Sequence, residues 1–314
     1  MKNYFSIKDI DSLDNWVKEA IELKKNPLRD VSLGTNKTIG MLFFNPSLRT
    51  RLSTQKAALN LGMNVMVMNF TGEGWSLEYG DGTVMDQGTS EHVKEAAQVV
   101  SQYCDVLAIR AFAKLEDREE DYEEKVLKSF IEYASIPIVN MESSVGHPLQ
   151  ALTDAITITE HKKTNKPKVV LSWAPHPKAL PQAVANSFVE MMQRMDADFV
   201  ITHPVGFELA SQITNEVPID YNQQNAFKDA DFVYVKNWSA YHDYGKTSKD
   251  SSWMITQEKM KLTNNAKFMH CLPVRRNVVV EDTVLDSENS IVIEQANNRT
   301  FAAQLVLKKI LKNI

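Results

Sequence analysis

Short apolar runs recur along this chain, separated by longer stretches in which apolar positions fall every three or four residues. The runs predict buried strands near residues 38–44, 64–70, 105–110 and 136–140. A second set follows near 168–173, 198–203, 231–236, 267–270 and 290–293. An amphipathic helix precedes the first strand, with Leu13, Trp16, Val17, Ala20 and Ile21 on one face. The runs are too continuously apolar for half-solvated strands, and helices separate most of them, so the pattern predicts an α/β chain of parallel sheets covered on both faces. Two doubly wound lobes account for nine strands better than one large sheet. Gly146 and Pro148 punctuate the chain between the two sets. The expected division is therefore 1–147 and 148–297, with a last helix over 298–314 returning to the first lobe.

In open α/β sheets, ligands bind outside the carboxyl ends of the strands. The unusual polar residues of this chain gather there. Ser47 to Arg51 follow the first run, Arg110 ends the third, and Glu142 and His147 follow the fourth. His176 follows the fifth, Lys236 ends the seventh, and His270 with Cys271 ends the eighth. Such clustering at one edge of both sheets predicts an active site in a cleft between the lobes.

The stretch Asn45-Pro46-Ser47-Leu48-Arg49-Thr50-Arg51 carries the most chemistry. It lies between a strand and a segment of helical composition. That setting puts unpaired N–H groups, two hydroxyls and two guanidiniums at the positive end of a helix dipole, which describes a phosphate cradle. Taken alone, the tetrad fits an ordinary helix start with exposed arginines equally well. His147-Pro148-Leu149-Gln150 places an imidazole and an amide on one face of a helix start, where a structural cap is the commoner role. Beside the arginines these two groups gain a second reading, as donors converging on a carbonyl and its amide while the arginines hold phosphate. Carbamoyl phosphate carries both groups. Gly72-Glu73-Gly74 lacks the third glycine of a dinucleotide loop, and Cys271 beside His270 has no second ligand pair, so neither a dinucleotide cofactor nor a metal is expected. His270 and Cys271 are neighbours on an extended segment and point to opposite faces, which places the imidazole badly as a base for the thiol.

Composition narrows the classes further. The 314 residues suffice for two domains, and 43% hydrophobic with 24% charged residues is a globular balance. A net charge of −5 with scattered basic residues gives no nucleic-acid footprint. The start of the chain lacks a signal-peptide core, no segment approaches a membrane span, and Cys104 and Cys271 are the two cysteines. The expectation is a cytoplasmic protein with free thiols and no membrane partner.

Ser47-Leu48-Arg49-Thr50-Arg51, His147-Pro148-Leu149-Gln150 and His270-Cys271-Leu272-Pro273 together resemble the carbamoyltransferases, the aspartate/ornithine superfamily, in order and approximate spacing over nearly the whole chain. The N-acylornithine branch, succinyl or acetyl, is most similar. Leu48 stands where ordinary ornithine and aspartate enzymes have threonine. Trp173-Ala174-Pro175-His176-Pro177 and Cys271-Leu272-Pro273-Val274-Arg275-Arg276-Asn277 also match that branch. Ordinary ornithine enzymes follow a similar strand with an aspartate and a Ser-Met-Gly turn that grip an α-ammonium, whereas this chain has Lys236-Asn237-Trp238-Ser239-Ala240. A cation there repels an α-ammonium and suits a lone α-carboxylate, as an Nα-acylated acceptor presents. A snorkelling surface lysine is the plainer alternative, weakened by the residue's place at a strand end.

The resemblance implies transfer of a carbamoyl group to the δ-amine of an N-acylornithine, without cofactor or metal. Ser47, Leu48, Arg49 and Thr50 would hold phosphate, with Trp75 reaching in from a neighbouring subunit of a homotrimer. Arg110, His147, Gln150 and the Cys271–Leu272 backbone would surround the carbamoyl group, and Arg299 would add positive charge. Glu142, His176, Lys236, Leu272 and Arg275 would meet the acceptor. Acetyl-type enzymes resemble this chain but carry glutamate at the position of Ser90 and lysine at that of Val279, while the succinyl type has proline at the former and lacks the lysine. A glutamate at 90 would repel a succinyl carboxylate and Ser90 would not, so the chain leans to succinyl, with N-acetylornithine as the alternative. An aspartate-type acceptor would call for a lysine in the loop 75–87, and none occurs there. A non-catalytic two-lobed binding protein is the remaining class, and the full donor-site set argues against it.

Overall fold

The computed structural model describes residues 1–70 and 72–314. Its first lobe is built on β1 (Thr38–Phe43), β2 (Asn64–Asn69), β5 (Val106–Arg110) and β6 (Ile138–Glu142), with a two-residue pairing of β3 (Leu77–Glu78) and β4 (Glu91–His92) beside them. The second lobe is built on β7 (Lys168–Trp173), β8 (Asp198–Thr202), β9 (Phe232–Lys236) and β10 (Lys267–Met269). Strand order is β2-β1-β5-β6 in one sheet and β10-β9-β7-β8 in the other, and every pairing is parallel. Two four-stranded doubly wound sheets are thus the α/β architecture expected from the apolar runs.

Burial explains which runs read clearly. β5, β6 and β9 are buried at every position, and β1 and β7 at all but the first. Helices cover both faces of such strands, so nothing selects polar residues on alternate positions. β2 departs from the expectation of full burial. It is the sheet edge and alternates exposed with half-buried residues, leaving Met66 and Met68 to solvent. The predicted strand at 290–293 does not form. Ser290 makes one isolated bridge to Phe268, and a helix begins at Val292. That last helix, Val292–Leu311, starts well before residue 298, and Ile293 is 70% exposed on its outer side.

Two helices carry the junction between lobes. Pro148–His161 follows β6, opens with proline at its first position where the missing N–H is harmless, and is buried from Pro148 through Ile158. It packs on the first helix Leu13–Lys25, on Ala183–Met192 of the second lobe, and on the C-terminal helix. The C-terminal helix also packs on Arg49–Asn60 and Leu13–Lys25. Buried Lys308 clamps it there, 3.1 Å from Glu19 and 2.8 Å from Asp30. Among the described residues no helix is long and apolar enough to cross a membrane.

Candidate active site

A cavity of about 910 Å³ opens between the carboxyl edges of the two sheets. Its walls combine the loop after β1, the ends of β5, β6 and β9, the turn after β10, and the C-terminal helix. The loop leads into the helix Arg49–Asn60, whose N-cap, Leu48, supplies no capping side chain. The first-turn N–H groups of this helix therefore face the cavity without an internal partner. Ser47 and Arg49 are half-buried on this wall, Leu48 is exposed, and Thr50 is buried.

Arg110 ends β5, where a register shift between Ile109 and Arg110 brings it opposite Glu142 of β6. Its Nε donates to Glu142 Oε2 at 3.1 Å, and its Nη1 donates to the carbonyls of Asn45 (2.9 Å) and Pro46 (2.7 Å). Phe112 stacks on the guanidinium at 3.9 Å. Arg110 thus fixes the cradle loop as well as presenting charge. Burial pushes the Glu142 carboxyl up against the pull of Arg110 and Arg299.

His147 is buried, with Nε2 3.5 Å from Glu142 Oε2 and from Arg299 Nη2, and its Nδ1 has no partner. Burial, helped by the positive charges of Arg299, Arg110 and Lys236, holds its pKa well below the usual range. The imidazole is therefore neutral at physiological pH and offers one N–H. Arg299 donates to Thr50 Oγ1 at 2.7 Å and to Gln150 Oε1, joining the C-terminal helix to both motif helices. Gln150 is 1% exposed and lies just behind the cavity wall, where its Oε1 accepts from Arg299.

The turn after β10 supplies the facing wall. His270 Nδ1 accepts the N–H of Leu272 at 2.8 Å, so the imidazole is turned away from the Cys271 thiol's chemistry. Leu272 sits in the left-handed region at φ 57°. Burial raises the Cys271 thiol, which makes it a poor nucleophile. Lys236, buried at the end of β9, donates to the Asn237 carbonyl at 2.7 Å, and burial lowers its pKa. Nearby, His176 Nδ1 lies 2.8 Å from the Lys178 carbonyl and Nε2 lies 3.1 Å from Arg275 Nε. A donor cannot face a donor, so Nδ1 carries the proton and Nε2 accepts from Arg275.

Trp75 and Ser90 are not on this cavity. Both lie on an exposed flap closed by the β3–β4 pairing, where Trp75 Nε1 donates to Glu91 Oε2 at 2.8 Å. Ser90 does not cap the following helix, since His92 takes that role by accepting from Lys94 N–H. Sequence reasoning missed Phe112, Leu180, Pro181 and Val184, which line the cavity as ordinary apolar residues with no motif to mark them.

Electrostatics give the cavity its character. Arg49, Arg110, Lys178, Lys236, Arg275 and Arg299 line it against one carboxylate, Glu142. Arg110, Lys236 and Arg299 are buried, Arg49 is half-buried, and Lys178 and Arg275 are exposed at the mouth; such an excess of cations suits ligands carrying several negative charges.

Two family models match the chain, the carbamoyl-phosphate-binding domain of aspartate/ornithine carbamoyltransferase over residues 2–160 and its Asp/Orn-binding domain over 181–310. The chain is 51% identical to the N-succinylornithine carbamoyltransferase of Bacteroides thetaiotaomicron, covering all of both chains. It is 36% identical to the N-acetylornithine carbamoyltransferase of Xanthomonas campestris pv. campestris, covering 98% of this chain and 97% of that one. It also superposes at a TM-score of 0.92 and 36% identity on a glutamate-to-serine variant of N-acetyl-L-ornithine transcarbamylase, complexed with carbamyl phosphate and N-succinyl-L-norvaline, over 99% of this chain and 100% of that one. Both lobes thus have their counterparts in one family, and this chain belongs to the aspartate/ornithine carbamoyltransferases.

Proposed function

We propose that the protein transfers the carbamoyl group of carbamoyl phosphate to the δ-amine of N-succinyl-L-ornithine, giving N-succinyl-L-citrulline and phosphate, a step that belongs to arginine biosynthesis. The observation that carries this reading is the cavity itself, which joins an uncapped helix N-terminus to a wall of cations with a single carboxylate. The phosphate of the donor sits on the N–H groups and side chains of residues 47–50, and Arg299 adds charge. Arg110 and His147 donate to the carbamoyl oxygen, and the Cys271 and Leu272 carbonyls with Gln150 Oε1 accept from its NH₂. The donor half is residues 1–147 with the C-terminal helix, and the acceptor half is the rest.

Attack by the δ-amine forms the C–N bond and drives the carbonyl electrons onto oxygen. The tetrahedral intermediate then expels phosphate, which carries away the amine proton. The neutral His147 and the cationic Arg110 are preorganised where the negative charge develops, so little rearrangement is needed. Holding both substrates in one cleft removes much of the remaining entropic barrier. On the acceptor side, Lys236 and Arg275 face carboxylates, His176 holds Arg275, and Glu142 meets the amine or amide N–H.

The lysine at 236 and the serine at 90 favour an acylated acceptor with a second carboxylate. Both the 51% relative's name and the succinyl analogue bound by the serine variant support that choice over acetyl. Trp75 and Ser90 share one flap that does not line their own cavity, so their roles call for a neighbouring subunit. Exposed Leu52, Leu59, Met66 and Met68 on the helix Arg49–Asn60 and the edge strand give the first lobe an apolar face for a homotrimer. The two buried free thiols fit a reducing cytoplasm. A colorimetric citrulline assay with N-succinylornithine, N-acetylornithine, ornithine and aspartate tests the reading. Product with N-succinylornithine is expected, and product with ornithine or aspartate alone overturns it.

A further inference from the structure

Asp154 does not line the cavity and is 0% exposed, yet two walls of the cavity meet at its carboxylate. Its Oδ1 accepts from Gln150 Nε2 at 2.7 Å and from Gln295 Nε2 at 2.7 Å. Gln150 Oε1 accepts from Arg299, and Gln295 Oε1 accepts the backbone N–H of His270 at 3.0 Å. His270 in turn accepts the Leu272 N–H through Nδ1 at 2.8 Å.

The hydrogen-bond inventory fixes both amides. Guanidinium and backbone N–H groups only donate, so each glutamine must turn its oxygen toward them. Each NH₂ is then left facing Asp154, which alone among these groups can accept from both. Remove that acceptor and the amides lose the reason to hold this orientation. Both NH₂ groups would be left buried without an acceptor, which drives Gln150 to shift off Arg299 and slackens the tie to the turn at 270–272. The oxygens on that side of the donor end are Gln150 Oε1 and the carbonyls of Cys271 and Leu272. Of its donors, Arg110 and the residues 47–50 belong to other elements, Arg299 keeps its bond to Thr50 Oγ1, and none of these groups, His147 included, bonds Asp154 directly.

We infer that Asp154 is a positioning residue for donor selectivity: by setting the amides of Gln150 and Gln295 it aims the acceptor oxygens at the carbamoyl NH₂, so that the cavity distinguishes this group from a methyl. The inference rests on the proposed function and deepens it. It does not require Asp154 to touch the substrate.

The test compares equilibrium binding of carbamoyl phosphate and acetyl phosphate, which share phosphate and carbonyl and differ in NH₂ against CH₃. Calorimetry on wild type, Asp154→Asn and Asp154→Leu gives the ratio of the two dissociation constants. Asp154→Asn keeps an oxygen for the two NH₂ groups and should retain the wild-type ratio within about threefold. Asp154→Leu should reduce the preference for carbamoyl phosphate by about tenfold, the usual worth of one well-placed hydrogen bond, with acetyl phosphate affinity little changed. Equal weakening of both ligands in Asp154→Leu marks a merely structural role and overturns the inference, as does an unchanged ratio. If Asp154→Leu does not fold, a collapsed ratio in the folded Asp154→Asn overturns it as well. Wild type that binds neither ligand overturns the proposed function, and this inference with it.

Discussion

Arg110 shows how much one residue can carry. It pairs with Glu142, holds two carbonyls of the cradle loop and presents its remaining N–H groups to the cavity. Arg110→Ala should therefore lower turnover with every acceptor by at least about 10²–10³-fold, the range for losing one preorganised donor. Steady-state citrulline formation by the folded variant checks this, and near-normal activity would remove Arg110 from the site. Asp154 makes a different prediction. Burial pushes its carboxyl up to about 7, against the pull of the Gln295 and Gln150 amides. Its folded value lies above the unfolded one near 3.8, so its contribution to stability is fully present below that value and is lost as pH rises through about 7. Asp154→Asn removes this titration. The stability of the variant relative to wild type should rise between pH about 4 and about 7, by on the order of a few kcal/mol, and then level off. Buried His147 and His270 are lowered and act in the opposite sense, but they are common to both proteins and cancel in the difference. Urea unfolding at a series of pH values reads it, and a flat difference would contradict the raised carboxyl.

At the scale of elements, the helix Arg49–Asn60 is proposed as the anion site, since its N-terminus is uncapped and faces the cavity. Inorganic phosphate should raise the melting temperature saturably, while chloride at matched ionic strength should not. At a hundred times the dissociation constant the stabilisation is about 2.7 kcal/mol. Equal effects of the two salts would argue for general screening instead. This helix start was legible in the sequence because the strand before it is apolar and its polar tetrad is unusual. The C-terminal helix was legible only from residue 298. Its first turns bury Gln295, Asn298 and Arg299, polar residues that face inward to serve the site and the Lys24–Glu160 pair, so hydrophobic periodicity vanishes just where the helix matters most. The short apolar group Ile291–Ile293 then reads as a strand. Asp154 was hidden for a related reason, since a single carboxylate within a helix gives no sign that two distant amides converge on it.

For the whole molecule, the cavity of one chain contains every predicted site residue on its walls or just behind them except Trp75 and Ser90. The sequence placed the cleft because residues at strand ends share one edge, but it could not show that the flap stands away from its own cleft. Light scattering should report a homotrimer, and a monomer at full specific activity would refute the sharing of the flap between subunits. The most direct measurement of the central claim is kcat/KM for N-succinylornithine and N-acetylornithine, in wild type and in Ser90→Glu. Wild type should prefer the succinyl substrate. Ser90→Glu should cut that preference roughly tenfold to a hundredfold, because a second carboxylate near the succinyl group in a partly closed cleft costs about 1–3 kcal/mol. A wild-type preference for N-acetylornithine, left unchanged by Ser90→Glu, would contradict the account.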